Sequence, residues 1–321
     1  MTPAALAALA KAAAQELGFD ACGVTDLGAS AAAAALDRWL ASGYHGEMRY
    51  MERQARVRRE PGRAWPQARC AVVVLHNYWQ RNAAPGPGRG RVARYALGDD
   101  YHRVVQAKLE RLGERLVGAA GGGACRAYAD AGPLPERELA RRAGLGWVGK
   151  NTMLIRPGLG SFTFIGVLLT DLELACDPPF EADRCGSCRR CLDACPTDAF
   201  PAPSVLDATR CISYVTIEAH SPVPGALKSA MGDWLFGCDV CQNVCPWNVR
   251  FARETDEPAY RARPADAWPT LREIAAMTPG EFDAAFGRTA LTRAGPSGLA
   301  RNAAALLEGG EGTDEATCPA A

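Results

Sequence analysis

Two cysteine runs decide most of what this chain can become. CGSCRRCLDACP sets Cys185, Cys188, Cys191 and Cys195 in the spacing C-x2-C-x2-C-x3-C-P, and CDVCQNVCP adds Cys238, Cys241 and Cys245. The first spacing is the bacterial [4Fe–4S] pattern: three close thiolates wrap one cubane, and the cysteine before Pro reaches over to a second. Two cubanes need eight thiolates, and the runs supply only seven, because Leu235 stands where the second run would begin. Cys211, in RCISYVTIE between the runs, is the best placed eighth ligand, and Cys176 is the alternative. The expected division is Cys185, Cys188, Cys191 and Cys245 on one cluster, with Cys195, Cys211, Cys238 and Cys241 on the other. A structural zinc site competes with this reading, but zinc has no use for the x2-x2-x3-Pro run. Cys22, Cys70 and Cys125 read as small core residues, and Cys318 is isolated.

The same cysteines speak to compartment. There are 13, an odd number, and the N-terminus MTPAALAALAKAAAQELGF has no basic start and no cleavage site. It reads as an Ala-rich amphipathic helix, so a disulfide framework is not expected and the cytoplasm is. The longest apolar run, FTFIGVLL at 162–169, is too short to cross a bilayer. With 321 residues, 48% hydrophobic and zero formal charge, the chain should form two or three soluble domains. Its charge is uneven, however. Residues 49–69, RYMERQARVRREPGRAWPQAR, hold seven Arg against two Glu. That stretch is either a solvated helix face or a surface for a phosphate-rich partner.

Alternating patterns divide the rest. Helices are expected at 3–17, 31–41, 100–118 and 135–143, and strands at 19–24, 69–76, 124–129, 151–155 and 161–170. Residues 1–175 therefore read as an α/β domain, 176–250 as a cysteine-rich domain of turns and short helices, and 251–321 as a short helical segment. The tail EGTDEATCPAA is expected to be disordered. Within the first domain, GLGWVGKN at 144–151 imitates both G-x-G-x-x-G and a P-loop. A nucleotide fingerprint follows a strand and opens a helix, whereas these glycines follow the helix-forming PERELARRA. They read instead as a helix stop running into a strand. Asn151 also lacks the hydroxyl a P-loop uses to hold magnesium.

With these segments in view, a family resemblance emerges. HGEMRYM (45–51), RYALGDDYH (94–102), YADAGPLPERELARRAGLGWVGKNTMLI (128–155), GSFTFIG (160–166), CISYVTIE (211–218), LTRAGPSGLARNAAALL (291–307) and both cysteine runs resemble the epoxyqueuosine reductase family, in one order. The resemblance implies an α+β architecture: an N-terminal α/β cobalamin-binding domain related to reductive dehalogenases, a ferredoxin-like domain with two [4Fe–4S] clusters, and a short helical end. It implies reductive removal of the epoxide oxygen from epoxyqueuosine in the tRNA anticodon loop, giving queuosine as the last step of its synthesis. The implied partners are tRNA and an electron donor such as a flavodoxin or ferredoxin. No membrane is implied, and a monomer is expected. Some family members carry added helical repeats after the clusters, and no such role is expected of this segment.

Asp130, in YADAGP, matches the family's proton donor. A carboxyl serves as an acid near neutral pH only when burial or a nearby negative group raises its pKa. Arg58, Ser161, Ser213 and Asp239 fall, with Asp130, in segments that line the cobalamin pocket of the family. His102 resembles a cobalt ligand only in part: the ligating motif is D-x-H-x-x-G, and Val105 replaces its Gly. His102 is not assigned to cobalt. Two rival readings are a reductive dehalogenase-like small-molecule reductase and a plain iron–sulfur electron carrier. The first would ordinarily have an export signal, and the second would bind no cobalamin.

Overall fold

The computed structural model describes residues 1–81, 84–264 and 267–310. The EGTDEATCPAA tail and its Cys318 lie outside the described residues.

Aliphatic runs place the main sheet. Strands β1 (Ala21–Asp26), β2 (Cys70–Asn77), β4 (Cys125–Ala129) and β7 (Thr163–Thr170) pair in the order β1-β2-β7-β4, every pair antiparallel. In β2, CAVVVLHN is buried at every position, so neither face of that strand meets water. Alternate side chains feed different cores, as the two-residue period of a strand requires. Cys70, Val72 and Val74 join one buried cluster, while Ala71, Val73 and Leu75 join the other.

Helices α1 (Pro3–Glu16) and α4 (Tyr101–Ala120) cover the first face. Val105, Leu109, Leu112 and Leu116 recur at helical spacing along α4 and are buried. Gly166 of β7 lets α4 come close: a Cβ there would stand 2.9 Å from Val105 Cγ1 and 3.0 Å from Leu109 Cδ1. The opposite face is covered by α5 (Glu136–Arg142), through Leu139 and Ala140. Helices α2 (Ala33–Ala41) and α3 (Arg49–Arg59) lie between β1 and β2 in sequence.

The GLGWVGKN segment begins as a helix stop, as expected. Gly144 has φ +74°, its N–H donates to Arg141 O, and the next N–H, of Leu145, reaches back to Ala140 O. That pair of bonds closes the end of α5. A small hairpin follows, β5 (Trp147–Val148) against β6 (Leu154–Ile155). The strand expected over 151–155 is shorter than its apolar pattern suggests. Asn151 and Thr152 belong to the turn, where Thr152 has φ +65° and donates its N–H to Gly149 O. Gly146 is needed for contact, since a Cβ there would fall 2.2 Å from Ile155 O.

The cysteine-rich part carries short helices: α6 (Arg190–Asp193), α7 (Ile212–Ile217), α8 (Gly225–Lys228), α9 (Val240–Asn243) and α10 (Pro246–Phe251). Its strand β8 (Trp234–Phe236) pairs in parallel with β3 (Arg91–Val92), a strand from the N-terminal part. Helices α11 (Leu271–Ala276) and α12 (Pro279–Phe286) each open with a capping box, from Thr270 and Thr278. The long α13 (Gly295–Gly310) returns to the cysteine-rich part, where buried Asn302 donates to Thr216 O at 2.7 Å and Leu235 O at 3.0 Å. One buried cluster runs from Leu6 to Leu306 and takes in residues of all three segments. Among the described residues no helix is long and apolar enough to cross a membrane.

Candidate active site and cluster cradle

The thiols fall into two electrostatic neighbourhoods. Cys191 has Cys185, Cys245 and Cys188 as electrostatic neighbours, and Cys245 has Cys185 and Cys188. Cys238 has Cys211 and Cys195, and Cys241 has Cys211, Cys238 and Cys195. The two groups meet where Cys241 also neighbours Cys191. Cys176 lies apart, beside Asp26, Asp177 and Arg142. The structure thus brings Cys211, and not Cys176, to the second group.

Local backbone geometry prepares these sulfurs for metal. Cys211 and Cys245 are the N-cap residues of α7 and α10. Backbone N–H groups of Ser213 and Tyr214 lie on the side of the Cys211 sulfur and lower its pKa, as those of Trp247 and Asn248 do for Cys245 and that of Val240 for Cys238. Such donors favour the thiolate, the form that binds iron. Burial first, with the Cys211, Asp239 and Cys195 charges behind it, pushes the Cys238 thiol up to about 12, a bias that a coordinating metal reverses.

The β5–β6 hairpin braces the first group. Trp147 Nε1 donates to Cys185 Sγ at 3.4 Å, and Lys150 Nζ donates to Gly186 O at 2.6 Å and Cys188 O at 2.9 Å. Asn151 Nδ2 reaches Cys241 O at 3.5 Å. The lysine that imitated a P-loop residue holds the first cysteine run in place.

Asp130 stands at the end of β4 with φ +59°. Its N–H donates to Glu136 Oε1 at 2.9 Å, and Tyr101 Oη donates to its Oδ2. His102 Nε2 lies 3.8 Å from the same oxygen, and the Asp130 side chain is 60% exposed. Burial, with the Asp130 charge second, pushes the Glu136 carboxyl up to about 8. Burial likewise holds Tyr101 well above the ordinary phenol range, so Tyr101 stays a neutral donor. From α3, Arg58 comes within electrostatic reach of Glu136 and Asp130. Its Nη1 donates to Leu134 O and its Nη2 to Gln54 Oε1, both at 3.1 Å, while Nε is buried without a partner among the described residues.

Comparison with known proteins settles the family. Residues 58–131 match the family model described as "Epoxyqueuosine reductase QueG, DUF1730", and residues 184–248 match "4Fe-4S double cluster binding domain". The chain is 40% identical over 313 residues to the epoxyqueuosine reductase of Pseudomonas aeruginosa, covering 95% of this chain and 86% of that one. The chain belongs to the epoxyqueuosine reductase family. Against the epoxyqueuosine reductase of Cyclobacterium marinum, identity is 40% over 296 residues, covering 92% and 94% of the two chains. A solved epoxyqueuosine reductase with an epoxyqueuosine-modified tRNA-Tyr stem loop superposes with a TM-score of 0.86 at 31% identity, covering 94% of this chain and 80% of that one. The Bacillus subtilis epoxyqueuosine reductase, whose catalytic Asp loop is described as swung out of the active site, superposes with a TM-score of 0.81 at 30% identity, with the same coverages.

Within this epoxyqueuosine reductase fold, the other expected contacts have distinct settings. Asp239 is buried, and its Oδ2 accepts from the Arg94 N–H and from Arg94 Nη1, both at 3.0 Å. Ser161 is buried too; its hydroxyl donates to Gln242 Oε1 at 2.8 Å and accepts from Asn248 Nδ2 at 2.9 Å. Both side chains are buried and bonded within the protein. Ser213, in the first turn of α7, is partly exposed, and its backbone faces the Cys211 sulfur. Sequence reasoning missed Glu136 and Tyr101, and it weighed His102 only as a cobalt ligand. Arg293 was missed as well; it pairs with Glu218 through two bonds and comes within reach of the Asp130 charge. Nothing in the pattern of the late segment marks Arg293 for this site.

Proposed function

We propose that this protein is a cytoplasmic oxidoreductase that converts epoxyqueuosine at the tRNA wobble position to queuosine. It would use cobalamin and two [4Fe–4S] clusters, and Asp130 would be the proton donor. The observation that carries the reading is the likeness to epoxyqueuosine reductases along nearly the whole chain. Site geometry supports it: an exposed carboxyl on a turn with φ +59°, a half-buried guanidinium whose buried Nε has no partner among the described residues, and two groups of four thiols.

The chain's own residues divide the work. Cys185, Cys188, Cys191 and Cys245 would hold one cluster, and Cys195, Cys211, Cys238 and Cys241 the other. When bound, the clusters pass electrons one at a time from a small redox protein such as a flavodoxin or ferredoxin. Cobalamin, when bound, supplies the strongly reducing cobalt that carbon–oxygen cleavage needs. Arg58 fits a polar group of that cofactor, because its buried Nε has no protein partner. Ser161, Ser213 and Asp239 fit the surrounding wall, with Arg94 keeping Asp239 in place. Tyr101 and Glu136 fix the Asp130 carboxyl and backbone, so the acid is aimed before substrate arrives. The Arg-rich α3 would meet the tRNA backbone, and the protein would act as a monomer.

The test is anaerobic. Reconstituted protein, supplied with cobalamin and a chemical reductant, is incubated with tRNA bearing epoxyqueuosine, and the digested nucleosides are analysed. Queuosine formation that depends on cobalamin is expected. Cluster absorbance with no cobalamin binding and no product would make the protein an electron carrier instead.

A further inference from the structure

Resting on the function just proposed, the balance of the reaction makes a demand that Asp130 alone does not meet. Turning an epoxide into an alkene and water breaks two carbon–oxygen bonds and takes up two electrons and two protons. The clusters account for electrons. A single carboxyl holds one proton, so it must be recharged within each turnover. A nucleoside seated against Asp130 would cover its open face, leaving a proton path through the groups behind it.

The groups that face Asp130 are Tyr101 and His102 of α4, Glu136 of α5, and, within electrostatic reach, Arg58 and Arg137. Glu136 accepts the Asp130 N–H and so meets its backbone, and the guanidiniums keep their protons. Tyr101 remains a phenol and has no proton to spare. His102 is different, since imidazole is the side chain that ordinarily exchanges protons near neutral pH. Its position is also fixed from three sides. Nδ1 lies 2.7 Å from Asp100 Oδ1, and the same carboxylate oxygen accepts the His102 N–H at 3.0 Å, capping α4. The imidazole stacks on the Tyr101 ring, with centroids 4.0 Å apart. Nε2 is thereby turned toward Asp130 Oδ2 at 3.8 Å, while the side chain stays 36% exposed. That separation exceeds a direct hydrogen bond, and a small ring movement or one bridging water spans it.

We infer that His102, held by Asp100, is the proton-supply residue of this site and recharges Asp130 between its two donations. The first proton leaves the Asp130 carboxyl for the departing oxygen. The resulting carboxylate takes the proton from Nε2 of the imidazolium, directly or through water. The neutral imidazole then regains a proton from solvent through its exposed edge, and the second donation completes water. His102 acts through Asp130 and touches neither substrate nor cobalt. This also accounts for a D-x-H motif that lacks its cobalt-binding Gly.

The experiment compares wild type, His102→Gln and Asp100→Asn under saturating chemical reductant, with iron and cobalamin content measured in each. His102→Gln is expected to keep both cofactors and lose about tenfold in kcat with little change in KM, below the usual range for a direct general acid. Added imidazole buffer should restore that rate in proportion to its protonated form, while leaving wild type unchanged. Asp100→Asn should show a smaller loss of the same kind. A misfolded variant would not be rescued by buffer, so rescue separates proton supply from structure. A His102→Gln rate equal to wild type, or a defect indifferent to imidazole, would overturn the relay while leaving the proposed function standing. No queuosine from wild type would remove the function and the relay together.

Discussion

Asp130 is placed by its neighbours more than by its own preferences. A non-glycine residue at φ +59° is uncommon, and here the Glu136 carboxyl accepts its N–H while the Tyr101 hydroxyl donates to its side chain. Asp130→Asn keeps the shape and polarity, so the variant should bind cobalamin, both clusters and tRNA. Its turnover should fall by about 10² or more, the scale for loss of a general acid; queuosine formation measured beside cofactor content checks this. Near-normal turnover would give the acid role to water or another group.

Glu136 makes a separate prediction. Its folded-state pKa of about 8 lies above the ordinary value of 4.5, so the folded state holds a proton that the unfolded state releases first. Stability should therefore decline as pH rises between about 4.5 and about 8. Glu136→Gln should flatten that decline, read as thermal midpoints of the two holoproteins across the window. Asp130 was singled out because it sits in the YADAGP motif. Glu136 was not, since PERELARR says only that a helix forms, and burial against Asp130 is a property of the folded turn.

At the scale of elements, pattern reading succeeded where one period dominates. α1, α2, α4 and α5, and the four strands of the main sheet, all lie within a few residues of expectation. It fell short where contacts across the fold decide. Two-residue strands such as β3 pair only because β8 is brought to them, and Lys150 could not announce that its targets were carbonyls of the cysteine loop. The basic stretch is resolved more finely by structure. Arg59 and Arg63 pair with Asp37 and Glu60, Arg69 with Glu173, and Arg58 turns inward. Arg53 and Arg56 on α3 are exposed and join no salt bridge among the described residues. Reversing both to Glu should weaken tRNA binding and make it less dependent on salt, because fewer phosphate counterions are released. Filter binding at several salt concentrations tests this. An unchanged salt slope would return α3 to an ordinary solvated face.

At the scale of the whole molecule, the cluster cradle draws on distant parts of the chain: the β5–β6 hairpin, both cysteine runs and α7. Wild type should hold about eight irons, four for each cubane. Cys211→Ser should lose one cluster and keep the other, seen as halved iron and a simplified reduced-state spectrum. Full iron retention would reassign the eighth ligand to Cys176 or elsewhere. The cysteine runs made the cluster content readable from spacing alone. The one continuous core that binds α13 to β8 was not readable, because it depends on Asn302 meeting two carbonyls that sequence places far away.

The sheet order also has a consequence for how the protein is made. β7 is the last of the four main strands in sequence, yet it lies between β2 and β4. While the chain emerges from the ribosome, β2 has only one of its two partners until residue 170 is free. A fully buried strand with an open edge is an invitation to wrong pairing. A ribosomal stall between residues 77 and 163 would leave that edge of β2 without its partner for as long as the stall lasts.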